Sequence, residues 1–299
     1  MRALYKHLRS QLDADRLYSN MAALYQLEHG QTFSCYRASA RKTLDILKEN
    51  GIPNAEIMTF PADGKTAYQD KIMPLGWDAT TGKLTILSGP GLERGLVAAD
   101  FQEHPFHLIK GSVGTAPGGE IVRILTYKQA LAQADASDAL VMIPPGMGPG
   151  IRPALVTMLD LGARGMISDF AMNAADEPDG IQWCNAYTER ANWHVTADDR
   201  PFILFSIKPN MGLRLRKALD LGPVTAKIES DARRFETEVD VVTALVPGRR
   251  KEEFWILAHL YEPLSNDNSS GVAAAIETAR LMMAEGQPEF SLRVIFGLE

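Results

Sequence analysis

The first sixty residues show the spacing of amphipathic helices followed by a strand. Leucine and methionine recur every three to five positions over residues 4–27, which places them on one face of a helix. The same pattern returns over residues 39–49, and Gly51 follows at a position typical of a helix C-cap. Residues 55–60 then alternate in the manner of a strand. This order of elements predicts the opening of an α/β domain.

The middle of the chain has a different pattern. Short apolar runs, of which residues 139–143 and 202–207 are the clearest, are separated by turns rich in glycine and proline. Each of these runs is followed by a segment with helical spacing, at residues 154–161 and 213–219. The pattern predicts an inserted or adjoining β-rich module over residues 77–232.

The last part of the chain returns to strands and a helix. Residues 239–246 and 254–259 are apolar runs joined by the polar turn 247–253, and we interpret the pair as an antiparallel hairpin. An alanine-rich segment, 272–283, and another apolar run, 290–296, follow. A strand, a helix and a strand in this order predict a βαβ unit with parallel strands.

Composition and charge narrow the class of protein. The 299 residues are 45% hydrophobic and 23% charged, which is ordinary for globular protein. A formal net charge of −6 at pH 7 argues against a nucleic acid or an anionic membrane as partner. Cys35 and Cys184 are isolated thiols without the spacing of a disulfide framework or a zinc-binding pair. With no segment typical of a signal peptide or a membrane span, we expect a cytoplasmic protein.

Three residues with metal-binding or acid–base chemistry fall at the predicted strand ends. His259 ends one strand, Asp267 lies in the loop before the helix, and Glu299 ends the next strand. The carboxyl ends of parallel strands meet at one edge of a sheet, so these side chains are expected to converge there. Imidazole and carboxylate groups are typical zinc ligands. Each residue also has a simpler interpretation, as a core histidine, a helix cap and a frayed terminus respectively.

The segments around these residues resemble the di-zinc aminopeptidase family, which includes aminopeptidase Y and the glutamate-carboxypeptidase-like enzymes. The matching segments are Val242–Gly248, Phe254–His259, Asn266–Ala273 and Leu292–Glu299. The middle block is similar to the protease-associated domain that is often inserted in these enzymes. Over residues 1–75 the resemblance is only generic.

The resemblance implies an α/β zinc-exopeptidase fold of the phosphorylase/hydrolase-like type. Residues 1–76 would form the N-terminal part of the peptidase domain, residues 77–232 a protease-associated-like insert, and residues 233–299 the start of the metal-binding core. The remaining ligands of the family pattern would lie beyond Glu299. We therefore expect a C-terminally incomplete catalytic domain that is a poor or inactive catalyst.

The resemblance also implies a role for each candidate residue. His259 would ligate one zinc ion, Asp267 would bridge two zinc ions, and Glu299 would be the general base that takes a proton from the metal-bound water. One position departs from the family pattern, in which an aspartate two residues after the histidine orients that ligand. This chain has Tyr261 at that position and Glu262 one residue later.

These features predict a zinc-dependent exopeptidase that hydrolyses amino-terminal peptide bonds of a peptide or small amide substrate. A carboxypeptidase or amidohydrolase with the same fold stays open as a related enzyme. A non-catalytic binding or scaffold protein is the alternative from a different class, and both the departure at Tyr261 and the absence of the remaining ligands up to Glu299 favour it. A homo-oligomer also stays open.

Overall fold

A computed structural model gives the fold of the protein. It describes residues 2–133, 135–144, 147, 151–184 and 194–298. The chain divides into two compact units. We call Met1–Ala62 together with Thr237–Glu299 the terminal unit, and Asp63–Glu236 the inserted unit.

Helices and strands are numbered along the chain. The helices are α1 (Arg2–Ser10), α2 (Ala14–Glu28), α3 (Phe33–Glu49), α4 (Tyr127–Leu131), α5 (Ile151–Asp160), α6 (Pro209–Leu221) and α7 (Ser269–Ala284). The strands are β1 (Glu56–Ala62), β2 (Ala67–Tyr68), β3 (Lys71–Ile72), β4 (Gly76–Asp78), β5 (Gly82–Ser88), β6 (Val97–Asp100), β7 (Glu120–Thr126), β8 (Ala139–Met142), β9 (Gly165–Ser168), β10 (Ile203–Ser206), β11 (Val224–Ser230), β12 (Arg233–Phe235), β13 (Thr237–Val246), β14 (Arg250–Leu260) and β15 (Phe290–Leu298). Within the described residues, no helix has both the length and the apolar content that a membrane crossing requires.

The terminal unit is built on a four-stranded sheet with the strand order β1-β13-β15-β14. The pairs β1–β13 and β13–β15 are antiparallel, whereas β14 and β15 are parallel. Helix α7 connects the two parallel strands, so the predicted βαβ unit is confirmed. Such a crossover brings the carboxyl ends of β14 and β15 to the same edge of the sheet.

The predicted hairpin between β13 and β14 is wrong. These strands do not pair, because β15 lies between them and hydrogen-bonds to both. The central position of β15 buries Val294 and Phe296. Strand β14 instead forms the edge of the sheet, and it exposes three large apolar side chains, Phe254, Trp255 and Leu257. Consecutive apolar runs do not reveal whether a third strand will pair between them.

Helix α3 begins six residues before the predicted start, at Phe33. Thr32 is its N-cap, and the Thr32 hydroxyl oxygen accepts a hydrogen bond of 3.2 Å from the backbone N–H of Cys35. The cap satisfies one of the N–H groups that have no partner inside the helix. The helix ends as predicted, with Gly51 in the left-handed region at φ +68°.

Replacing Thr32 with alanine should lower the free energy of unfolding by about 1 kcal/mol, because the first turn of α3 loses its side-chain cap. Urea unfolding followed by circular dichroism measures this change. Thr32→Ser keeps the hydroxyl and serves as the matched control. Equal losses in the two variants would show that capping is not what Thr32 contributes.

The inserted unit contains a seven-stranded sheet with the order β10-β9-β8-β7-β11-β5-β6. Strands β7 to β10 pair in parallel and the others are antiparallel. Every residue of β8, β9 and β10 is buried, as is typical of parallel strands covered on both faces. Helices α5 and α6 confirm the two helical patterns of the middle block, although each begins three or four residues earlier than predicted.

The inserted unit is wider than the predicted insert of residues 77–232. Strand β4 pairs with β12, and Asp63 forms a bridge with Leu75. Residues just outside the predicted boundaries therefore belong to the same unit as the predicted insert. This unit runs from Asp63 to Glu236. Strands of two or three residues leave too short a pattern in the sequence to place such a boundary.

Candidate metal centre

His259 and Asp267 lie together at the carboxyl end of β14. His259 is the penultimate residue of that strand, and Asp267 lies in the loop that leads into α7. The distance between His259 Nε2 and Asp267 Oδ1 is 3.1 Å. Glu299, the predicted general base, lies outside the described residues.

A third residue, Glu262, belongs to the same cluster. Glu262 Oε2 lies 3.8 Å from His259 Nδ1, so the two ring nitrogens face two different carboxylates. One ligand atom from each of His259, Glu262 and Asp267 lies within 4.8 Å of the others. Within the part of the chain that the structure describes, this is the one group of three or more such side chains that is close enough to hold a metal ion.

Tyr261 explains how the Glu262 carboxylate reaches the histidine. Its φ of +78° is in the left-handed region, which is uncommon for a residue other than glycine. The chain therefore turns sharply just after β14. The Tyr261 ring is buried against Phe33 and Tyr36 of α3, with centroid distances of 5.6 and 5.3 Å, and this aromatic packing fixes the turn. The family pattern has a carboxylate two residues after the histidine, whereas here it comes three residues after.

The cluster combines buried and exposed groups. The side chain of Glu262 is 7% exposed, that of His259 is 24% exposed and that of Asp267 is 63% exposed. His259 Nδ1 is buried and makes no hydrogen bond with the described residues. Two carboxylates beside one imidazole concentrate negative charge, which favours a bound cation. The exposed Asp267 leaves the cluster open to solvent.

The donor set fits a zinc ion. Zinc takes imidazole nitrogen and carboxylate oxygen at about 2 Å in tetrahedral geometry, so two of its ligand atoms lie roughly 3.3 Å apart. The 3.1 Å between His259 Nε2 and Asp267 Oδ1 is close to that separation. The Nδ1 side of the ring, which faces Glu262, corresponds to the position of the carboxylate that commonly orients a zinc-binding histidine.

An open groove of about 450 Å³ lies beside the cluster. Most of its lining is apolar, and His259 and Asn268 supply polar groups. The apolar lining comes from β13, β14 and β15 and includes Val239, Val241 and Leu257. The groove provides space for an organic molecule next to the imidazole.

Solved structures share this fold. A zinc aminopeptidase from Bacillus subtilis is similar to this chain with a TM-score of 0.61 and 15% identity, over 95% of this chain and 60% of that chain. A peptidase M28 precursor from Shewanella amazonensis SB2B gives a TM-score of 0.65 and 17% identity, over 99% and 66% of the two chains. An aminopeptidase from Aneurinibacillus sp. strain AM-1 gives a TM-score of 0.55 and 16% identity, over 95% and 62%. The chain has the fold of zinc aminopeptidases.

The comparisons confirm the predicted class of fold, a mixed α/β fold of the zinc-aminopeptidase type. The chain spans 60% to 66% of the length of these three solved chains. No family model matches the sequence, and no curated protein matches it. At identities of 15% to 17%, the likeness is one of fold.

Proposed function

We propose that this chain carries the metal centre of a zinc-dependent aminopeptidase-like hydrolase. The observation that carries the proposal is the cluster of His259, Glu262 and Asp267 at the carboxyl end of a parallel βαβ unit. In open α/β sheets this edge is the usual place for a ligand. The shared fold with zinc aminopeptidases supports the choice of metal and reaction.

Each of the three residues would have its own role in binding zinc. His259 would bind through Nε2 and Asp267 through a carboxylate oxygen, because these two atoms are already 3.1 Å apart. Glu262 faces Nδ1, so it would accept a hydrogen bond from the Nδ1–H group and fix the tautomer and orientation of the ring. Bound zinc supplies Lewis acidity to a carbonyl oxygen and acidifies bound water.

We propose two further parts of the site from the family resemblance. Asp267 has an exposed carboxylate and would bridge to a second zinc ion, whose other ligands would come from outside the described residues. Glu299 would act as the general base. Leu298, the last residue of β15, pairs with Leu260, which follows His259, so β14 and β15 end at the same edge of the sheet.

The substrate class that we propose is a peptide or small amide with a free amino terminus. The apolar groove beside His259 would suit an apolar side chain next to the scissile bond. We further propose that the inserted unit is protease-associated-like. The carboxylate of Glu262 on the Nδ1 side of His259 supports the catalytic proposal over a non-catalytic protein.

Zinc binding tests the proposal. The protein should bind zinc after removal of metal by a chelator, and Asp267→Asn should weaken binding by more than the roughly 100-fold that the loss of an outer-shell partner can cost. Isothermal titration calorimetry measures the affinity. His7→Ala is the matched control, because it removes an exposed histidine of the same unit that lies outside the cluster.

Hydrolysis of aminoacyl chromogenic amides by the longest chain that the gene encodes tests the reaction itself. Activity should disappear on chelation, return with zinc, and be absent in Asp267→Asn. A folded wild-type protein that binds no zinc would contradict the metal site. A zinc-loaded protein without hydrolysis would contradict the enzymatic part and favour a binding protein with this fold.

A further inference from the structure

Glu28 is a buried carboxylate that the proposed zinc chemistry does not use. It is the last residue of α2 and is 2% exposed. Its Oε1 accepts hydrogen bonds from the Tyr261 backbone N–H at 2.9 Å and from the Ser39 hydroxyl at 2.8 Å. Its Oε2 accepts a longer hydrogen bond, 3.4 Å, from the Ser269 hydroxyl. The three donors offset the cost of burying this carboxylate.

Two of these donors lie in the segments that carry the candidate ligands. Tyr261 lies between His259 and Glu262 in the chain, and the fully buried Ser269 begins α7 two residues after Asp267. Neither donor belongs to the metal cluster itself. One carboxylate on α2 therefore joins the end of β14 to the start of α7.

The contact with Tyr261 has a second effect. A non-glycine residue in the left-handed region is strained and persists only when its surroundings hold it. The Glu28 carboxylate accepts the N–H of this residue, while α3 packs against its ring. Contacts to both the backbone and the side chain of Tyr261 thus stabilise the turn that brings Glu262 to His259.

We propose that Glu28 is a positioning residue for the metal centre. It sets the separation of the His259 imidazole and the Asp267 carboxylate by fastening the segments on which they lie. The inference rests on the proposed zinc site and deepens it, since Glu28 acts without touching the metal. Its removal should change metal affinity and geometry even when the protein stays folded.

Titration with Co²⁺, followed by visible absorption, tests this role because the spectrum reports both affinity and ligand geometry. Glu28→Ala should weaken Co²⁺ binding by about 10- to 100-fold, the range typical of residues that orient metal ligands, and should alter the absorption bands. Glu28→Gln keeps an oxygen that can accept the Tyr261 N–H, and it should restore most of the affinity. Circular dichroism establishes that each variant is folded under the conditions of the titration.

Glu277→Gln is the control for a general loss of stability. Glu277 is also a buried carboxylate of the terminal unit, but its partners are Asp13, Arg16 and Arg280. This variant should be less stable than wild type and bind Co²⁺ with unchanged affinity and spectrum. Equal weakening in Glu28→Ala and Glu277→Gln would overturn the inference, because destabilisation alone would then account for the effect.

Two further outcomes are decisive. Wild-type affinity and spectrum in a folded Glu28→Ala protein would overturn the positioning role. A wild-type protein that binds neither Co²⁺ nor zinc would overturn the proposed metal site instead.

If Glu28→Ala does not fold, Ser269→Ala carries the test. It removes the hydroxyl that donates to Glu28 Oε2, and it should weaken Co²⁺ binding; unchanged binding would again overturn the role.

Discussion

Replacing Glu277 with glutamine is expected to lower the free energy of unfolding by about 3 kcal/mol at pH 7. Glu277 lies in α7 with a side chain only 3% exposed. Its carboxylate accepts hydrogen bonds from Arg280 at 2.7 and 2.9 Å, from Arg16 at 3.2 Å, and from the Asp13 backbone N–H at 3.2 Å. Glutamine has nearly the same shape but no charge, so two guanidinium groups would remain without the anion between them.

The pH dependence of this loss identifies its cause. Burial raises the pKa of Glu277, but hydrogen bonds from Arg280 and Arg16 outweigh burial and lower the pKa from 4.5 to about 2. The carboxylate therefore stabilises the protein above pH 4.5, and this contribution is lost as the pH falls towards 2. Urea unfolding of wild type and Glu277→Gln should therefore show a smaller difference in the free energy of unfolding at pH 3 than at pH 7. Glu49→Gln, at an exposed glutamate of α3, is the control, and an equal difference at both pH values would contradict a role for the charge.

Glu28→Gln is expected to show the opposite dependence on pH. Burial raises the pKa of Glu28 from 4.5 to about 7, although the hydrogen bonds from Tyr261, Ser39 and Ser269 act to lower it. A carboxylic acid with a raised pKa in the folded state contributes its full stability below pH 4.5 and loses it as the pH rises through about 7. The shift corresponds to about 3 kcal/mol. Between pH 4.5 and pH 8, the free energy of unfolding of Glu28→Gln should therefore rise by about 3 kcal/mol relative to that of wild type.

The free energies of unfolding of wild type and Glu28→Gln are compared at each pH. Groups that titrate in the same way in both proteins cancel in the difference. Among the neighbours of Glu28, Tyr36 has a pKa raised by burial and stays protonated in this range. Asp240, which also faces Tyr36, is paired with Arg37 at 3.1 Å. Urea unfolding in the presence of a chelator, with Glu49→Gln as the exposed control, gives the free energies. Parallel pH curves for wild type and Glu28→Gln would contradict the expectation.

Local sequence patterns were sufficient to predict the βαβ unit. Strands, the helix and their order follow from the period of apolar residues, and the crossover rule then brings their ends together. Strand order was not predictable in the same way, because the position of β15 between β13 and β14 depends on hydrogen bonds between distant segments. The fold class needed the family resemblance, and the comparisons with solved structures confirm it.

The candidate site was only partly accessible from the sequence. The proximity of His259 and Asp267 follows from the strand and loop that carry them, and it needs only eight residues of chain. The contact of Glu262 with the ring depends on the backbone conformation of Tyr261, which residue type does not indicate. Glu28 is 233 positions from Tyr261. No spacing rule connects residues so far apart, and an acidic residue at the end of an amphipathic helix is usually solvent-exposed.

The edge position of β14 affects how the protein can be handled in solution. Within the described chain this eleven-residue strand pairs with β15 alone, and an open strand edge is a template for pairing between molecules. Its first residues, Arg250 to Glu253, are charged, and charges of this kind oppose such pairing. The exposed Phe254, Trp255 and Leu257 lie further along the strand, towards His259. Self-association through this edge is therefore expected to increase with protein concentration and to involve its apolar half, which lies next to His259.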